Sequence, residues 1–117
     1  MRSQSSAPGA PRTFEEFWPY YVSQHTDPTC RLLHLAGLGL AMGCVAVSPA
    51  VPPALLAAPV VGYGLAWIGH FVYEKNRPAS WHSARHLAWS FRGDLRMCRY
   101  MVSGLMEAEI ERLAEVN

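Results

Sequence analysis

The chain has 117 residues, half of them hydrophobic and 16% charged, with a formal net charge of +1. That length bounds it to one domain, and ten basic against nine acidic residues leave no global field for recruiting nucleic acid. Cys30, Cys44 and Cys98 are odd in number and form no C-x-x-C pair, which argues against a disulfide framework and a thiolate zinc site and leaves three reduced, mostly buried small hydrophobes.

Residues 1–12 are rich in Ser, Ala, Pro and Gly, with no apolar block behind Arg2, and read as a disordered tail instead of a signal peptide. A single domain is expected over 13–117. Thr13 followed by Glu15 and Glu16 starts a first helix, with an N-cap hydroxyl and carboxylates where the helix dipole favours them. Phe14, Phe17, Trp18, Tyr20 and Tyr21 make that helix strongly aromatic, as suits a membrane interface. Thr26-Asp27-Pro28 breaks it and opens a second helix, Pro28 to Val47, capped by Asp27 or Thr26.

From Leu32 to Tyr73, 42 consecutive residues contain no Asp, Glu, Lys or Arg. At roughly 20 apolar residues per bilayer span, the run is long enough for two short spans and a turn. Ser48-Pro49-Ala50-Val51-Pro52-Pro53 is the turn, because prolines restrict φ and remove amide donors. The third helix is expected over Pro53 to Glu74, kinked or truly started at Pro59. Glycines on both arms allow close packing, and Trp67, Phe71 and Tyr73 mark the cytoplasmic end of the second arm. A break at residues 76–80 precedes a last helix, Ser83 to Val116, with Gly93 or Gly104 as points of interruption and a charged, solvated final third. The predicted fold is all-α: a small membrane helical bundle with a transmembrane hairpin, an interfacial N-terminal helix and a C-terminal helix. Arg2, Arg12 and Arg31 precede the uncharged run and Lys75, Arg77, Arg85, Arg92, Arg96 and Arg99 follow it, so the positive-inside rule places both termini in the cytoplasm, with the cytoplasmic membrane the expected location.

The two imidazoles in the uncharged run set up the chemistry. His34 lies 16 residues before Ala50 and His70 lies 20 after it, depths of roughly 24 and 30 Å at about 1.5 Å per residue, so an antiparallel hairpin brings them to one end. Buried polar groups need partners, and a shared metal ion is one. His25 can fold back over the helix carrying His34. His70 and Glu74 are i and i+4, a spacing that lets two side chains address one ion, and His82 and His86 repeat it. Neutral imidazoles with open positions are the usual setting for non-haem iron(II) that activates oxygen. Each histidine can instead be a hydrogen-bonded structural residue, Glu74 an ion-pair partner of Lys75 or Arg77, and His82 merely solvated. Asp94 either orients a histidine from the second shell or forms a surface ion pair. Arg92, Arg96 and Arg99 share a face that suits an amphiphile's carboxylate or anionic lipid. No repeat, glycine-rich phosphate loop or Ser-His-Asp arrangement occurs.

Thr13-Phe-Glu-Glu-Phe-Trp-Pro-Tyr-Tyr21, His25 through His34-Leu-Ala-Gly37, Gly69-His70-Phe-Val-Tyr-Glu74 with Arg77-Pro-Ala79, and later Trp89-Ser90, Arg92-Gly93-Asp94 and Met97 together resemble the Mpo1-like family. The resemblance covers nearly all of the chain after residue 12. It implies a small helical membrane protein and, as for the yeast founding member, an iron(II)-dependent dioxygenase that shortens 2-hydroxy fatty acids by one carbon, with dioxygen and a lipid as co-substrates. It implies His25, His34 and His70 as catalytic metal ligands, with His86 a fourth. The chain departs from the yeast-like pattern in being shorter and in carrying Thr29-Cys30-Arg31 where an Asn is usual. The competing readings are a non-catalytic membrane scaffold and a metal- or haem-binding membrane protein.

Overall fold

The computed structural model describes residues 11–78, 81 and 83–116. Thr13 caps the first helix through its Oγ1, which accepts from Glu16 N at 3.1 Å, and α1 runs over Phe14–Ser23 with Pro19 inside it. Asp27 then accepts from the amides of Thr29 and Cys30, with Pro28 in the first turn, and starts α2, Pro28–Val47. The proline-rich turn reverses the chain into α3, Ala54–Ile68, which contains Pro59 and passes into a π-helical segment, Gly69–Glu74. Ser83 caps α4, Ala84–Ser103, and Gly104, at φ +76°, separates it from α5, Met106–Val116. The described residues form five α-helices and no strand, as the all-α expectation required.

Two boundaries differ from those predicted. The third helix is not regular to Glu74: its last six residues widen to π geometry and end at Lys75 in the left-handed region, φ 60°. The last helix is divided at Gly104 and not at Gly93. Gly104 adopts a positive φ that costs glycine little, whereas Gly93 stays within the helix and its missing side chain leaves room for the Tyr21 ring.

The hairpin of α2 and α3 packs through small residues. A Cβ on Gly37 would meet Gly62 O at 3.1 Å, and one on Gly62 would meet Ala41 Cβ at 3.5 Å, so the backbones lie in near contact. Both arms, Pro28–Val47 and Ala54–Glu74, are long and apolar enough to cross a membrane, and only 22% of each is buried. Leu40, Val47, Leu56 and Val60 project outward, each at least half exposed.

The aromatic helix is not an exposed interfacial belt. Phe14, Phe17, Trp18 and Tyr21 are all at least 96% buried, and with Val22, Met97, Met106 and Leu113 they form the hydrophobic core between α1, α4 and α5. Alternation of aromatic and acidic residues marks an amphipathic helix but not what covers its apolar face; here other helices cover it. The core is pinned at its edge by Trp18 Nε1, which donates to Glu109 Oε2 at 2.7 Å, and by Arg96, which holds both oxygens of Glu15 at 3.1 and 2.7 Å. Arg92 and Arg96 lie over the Phe14 ring at 4.3 and 4.8 Å, so two of the three arginines of the predicted headgroup cluster pack on α1, while Arg99 lies over Tyr100 of its own helix at 5.8 Å. Residues 1–10 and His82 lie outside the described residues.

Candidate metal centre

His25 sits on the link between α1 and α2, His34 two turns into α2 and His70 in the π-helical segment. These separate elements converge. The rings are 4.6 Å (His25 to His34), 4.6 Å (His25 to His70) and 5.1 Å (His34 to His70) apart, centre to centre. One nitrogen from each lies within 4.8 Å of those of the other two, against the ~3–4 Å that separates two imidazole nitrogens on one cation. All three side chains are at least 95% buried.

The Nδ1 atoms are occupied by acceptors. His25 Nδ1–H donates to Tyr21 O at 2.6 Å, His34 Nδ1–H to Asp94 Oδ1 at 2.8 Å, and His70 Nδ1–H to Asn76 Oδ1 at 2.7 Å. Oxygens that only accept require the proton on Nδ1, so in the neutral form of a ring its Nε2 carries the lone pair. Nε2 of His25 and Nε2 of His34 are buried without any partner. Two orphaned buried acceptors are costly, and a cation shared by the three rings would satisfy them. Burial first, then the neighbouring His34 and His70, hold the His25 imidazole well below its ordinary pKa, which favours the neutral, ligating form.

The supporting groups are themselves held. Asp94 Oδ1 also accepts from the Tyr21 hydroxyl; burial first, then the charge of Asp94, push that hydroxyl's pKa well up. Asn76 Nδ2 donates to Gln24 O at 3.2 Å, which fixes the orientation of the amide. Arg31 is 96% buried and donates to His25 O at 2.8 Å, Thr26 O at 3.0 Å and Glu107 Oε2 at 3.1 Å, so it fastens the link that carries His25. Gly69 lets the π-helical segment press on α2: a Cβ there would meet Cys30 Sγ at 2.8 Å and Cys30 Cα at 3.2 Å. Such π segments recur at functional sites.

Glu74 and His86 are not brought into the group. The Glu74 carboxylate accepts from Thr26 Oγ1 at 3.0 Å and from Asp27 N at 2.5 Å, closing the start of α2 onto the end of the π segment. His86 shares a 2.8 Å hydrogen bond with Ser83 Oγ and stands edge-on to Phe17 at 5.2 Å. Sequence reasoning missed Asn76, Arg31 and the part of Tyr21. Asn76 reads as one polar residue in a break, and its only signal is a carboxamide six residues beyond a histidine; Arg31 reads as a flanking cation.

An apolar cavity of about 540 Å³ opens from the histidines. Along α2 its wall is Leu38, Ala41, Met42, Val45 and Ala46, and along α3 it is Ala58, Pro59, Gly62, Tyr63, Ala66 and Trp67, while Ser90, Phe91 and Asp94 come from α4. Ser90 Oγ is buried without a partner. A family model described as 2-hydroxy-palmitic acid dioxygenase Mpo1-like matches residues 11–106. The chain belongs to the Mpo1-like family. In this Mpo1-like chain the matched stretch contains the three histidines and Tyr21, Asn76 and Asp94 that hold them, and stops at the first residue of α5. Neither a curated protein nor a solved structure matches it.

Proposed function

We propose that this Mpo1-like protein is a membrane-embedded, iron(II)-dependent dioxygenase that converts a 2-hydroxy fatty acid and dioxygen to the acid one carbon shorter, carbon dioxide and water. The observation that carries the reading is the buried group of three imidazoles, each with Nδ1 engaged, at one end of an apolar cavity. His25, His34 and His70 are the ligands and Asp94 acts on His34 from behind. Three neutral nitrogens suit iron, zinc or copper; dioxygen chemistry favours iron among them. When bound, iron(II) supplies the activation of dioxygen.

The chain's own residues do the rest. Tyr21, Asp94 and Asn76 keep the rings in one tautomer and one orientation, and the buried side chains of Tyr21, His25, His34 and His70 form the head of the cavity. The cavity runs beside α2 from His34 to Val45, 11 residues or about 16 Å, and a C–C bond of about 1.5 Å advances an extended chain by roughly 1.3 Å. About twelve carbons of an acyl chain therefore fit beside the hairpin. Moving a methylene from water into hydrocarbon is worth about 0.8 kcal/mol, but a lipid already in the bilayer has realised that gain. Selectivity then rests on the polar end, where the histidines, Asp94 and Ser90 lie. The hairpin spans the membrane, and the cations that flank it, with none in the turn, put both termini on the cytoplasmic side.

Adding 2-hydroxypalmitate to iron-loaded protein should produce oxygen uptake and the one-carbon-shorter acid in equal amounts. A chain that holds iron yet consumes no oxygen with any 2-hydroxy acid overturns the reading in favour of a scaffold or electron-transfer role.

A further inference from the structure

Tyr21 touches the histidine group in three ways. Its backbone carbonyl accepts from His25 Nδ1 at 2.6 Å. Its ring stacks on the His25 ring at 4.1 Å between centres and 25° between planes. Its hydroxyl donates to Asp94 Oδ1, the atom that accepts from His34 Nδ1. A single side chain at the end of α1 thus links a histidine of the α1–α2 connection to one of α2 through a carboxylate of α4. The juxtaposition depends on Gly93, one residue before Asp94: a Cβ there would meet the Tyr21 ring at 3.1 Å, so only a residue without a side chain lets α4 lie this close.

We propose that Tyr21 is a positioning residue that sets the relative orientation of His25 and His34, and thereby the affinity of the three-imidazole group for a divalent cation. This rests on the reading that the group binds a cation. A buried aromatic chosen for packing alone needs no hydroxyl, and a phenylalanine would serve. Here the hydroxyl is spent on a carboxylate that already serves a histidine. That shared oxygen locks the carboxylate's rotation, so the His34 ring cannot turn its Nε2 away from that of His25. Partners of this outer kind change metal affinity by about 10- to 100-fold when removed.

The test uses the full chain in detergent, with cobalt(II) as a spectroscopic probe and a competing chelator to fix its affinity. Tyr21→Phe should weaken cobalt(II) binding about tenfold, with the helical circular dichroism unchanged. In an Asp94→Asn background the same change should cost little more, because the hydroxyl acts through that carboxylate. If the parent binds cobalt(II) and Tyr21→Phe binds it equally, Tyr21 is only packing and the proposal fails while the metal reading stands. Additive losses in the double variant also overturn it. A parent chain that binds neither cobalt(II) nor iron(II) removes the metal reading itself, and the proposal with it.

Discussion

Asp94 Oδ1 accepts from His34 Nδ1 at 2.8 Å, joining residues 60 positions apart in the chain, and the same oxygen accepts from Tyr21. A carboxylate behind a ligating imidazole fixes its tautomer and raises its basicity. Asp94→Asn should lower divalent-metal affinity by about 10- to 100-fold while leaving the helix content intact, as measured by chelator competition alongside circular dichroism. Equal affinity in the variant would make Asp94 a bystander.

Asn76 offers its carbonyl oxygen to His70 and its amide nitrogen to Gln24 O. Asn76→Asp keeps the acceptor and loses the donor, whereas Asn76→Leu loses both. Metal affinity should fall clearly at Leu, whereas at Asp the lost tether to Gln24 is offset by the more basic His70 that a carboxylate behind it gives. The same competition assay reads it, and a Leu variant that binds as the parent does would remove Asn76 from the site.

Glycines on α2 and at the start of the π segment should differ sharply. Gly69→Ala forces a methyl against Cys30, with contacts of 2.8 and 3.2 Å, and overpacking of this kind costs about 1–3 kcal/mol. It should lower thermal stability and displace His70. Gly39→Ala meets nothing within 4 Å and gains up to about 1 kcal/mol of helix propensity. Thermal unfolding of the two variants in one detergent checks the contrast.

The α1–α5 contact gives a pH dependence. Arg112 first, then the hydrogen bond from Trp18, lower the Glu109 pKa below its ordinary 4.5, against an opposing effect of burial. A depressed folded-state pKa means that the stability is present above the unfolded value and is lost as pH falls through the folded one. The melting temperature should therefore drop as pH falls below about 4.5, and Glu109→Gln should flatten that part of the curve. An identical acid limb in the variant would assign the loss to other carboxylates.

Much of the fold was legible because it follows from local rules. The Thr13 cap, the Asp27-Pro28 start, the Pro-rich turn and the uncharged run each act over a few residues, and the structure places α2 on the predicted Pro28–Val47. His34 and His70 could be paired because helical rise is constant along both arms. What stayed hidden depends on contacts between distant segments. The α1 aromatics are core because α4 and α5 cover them, and nothing in residues 13–23 records that. The π-helical segment sets Gly69 against Cys30 across the hairpin, a contact between residues far apart in the chain. Glu74 has the right spacing to join His70, yet it faces the amide of Asp27; the i,i+4 rule describes a regular α-helix, and residues 69–74 are not one.

The most direct measurement is the iron content of protein purified and loaded anaerobically, for the parent and for His25→Ala, His34→Ala and His70→Ala. Three imidazoles that grip one cation require one iron(II) per chain in the parent and loss of stoichiometric binding in each variant, with the helical fold retained. A parent that takes up no iron, or single variants that load as fully as it does, would contradict the central claim.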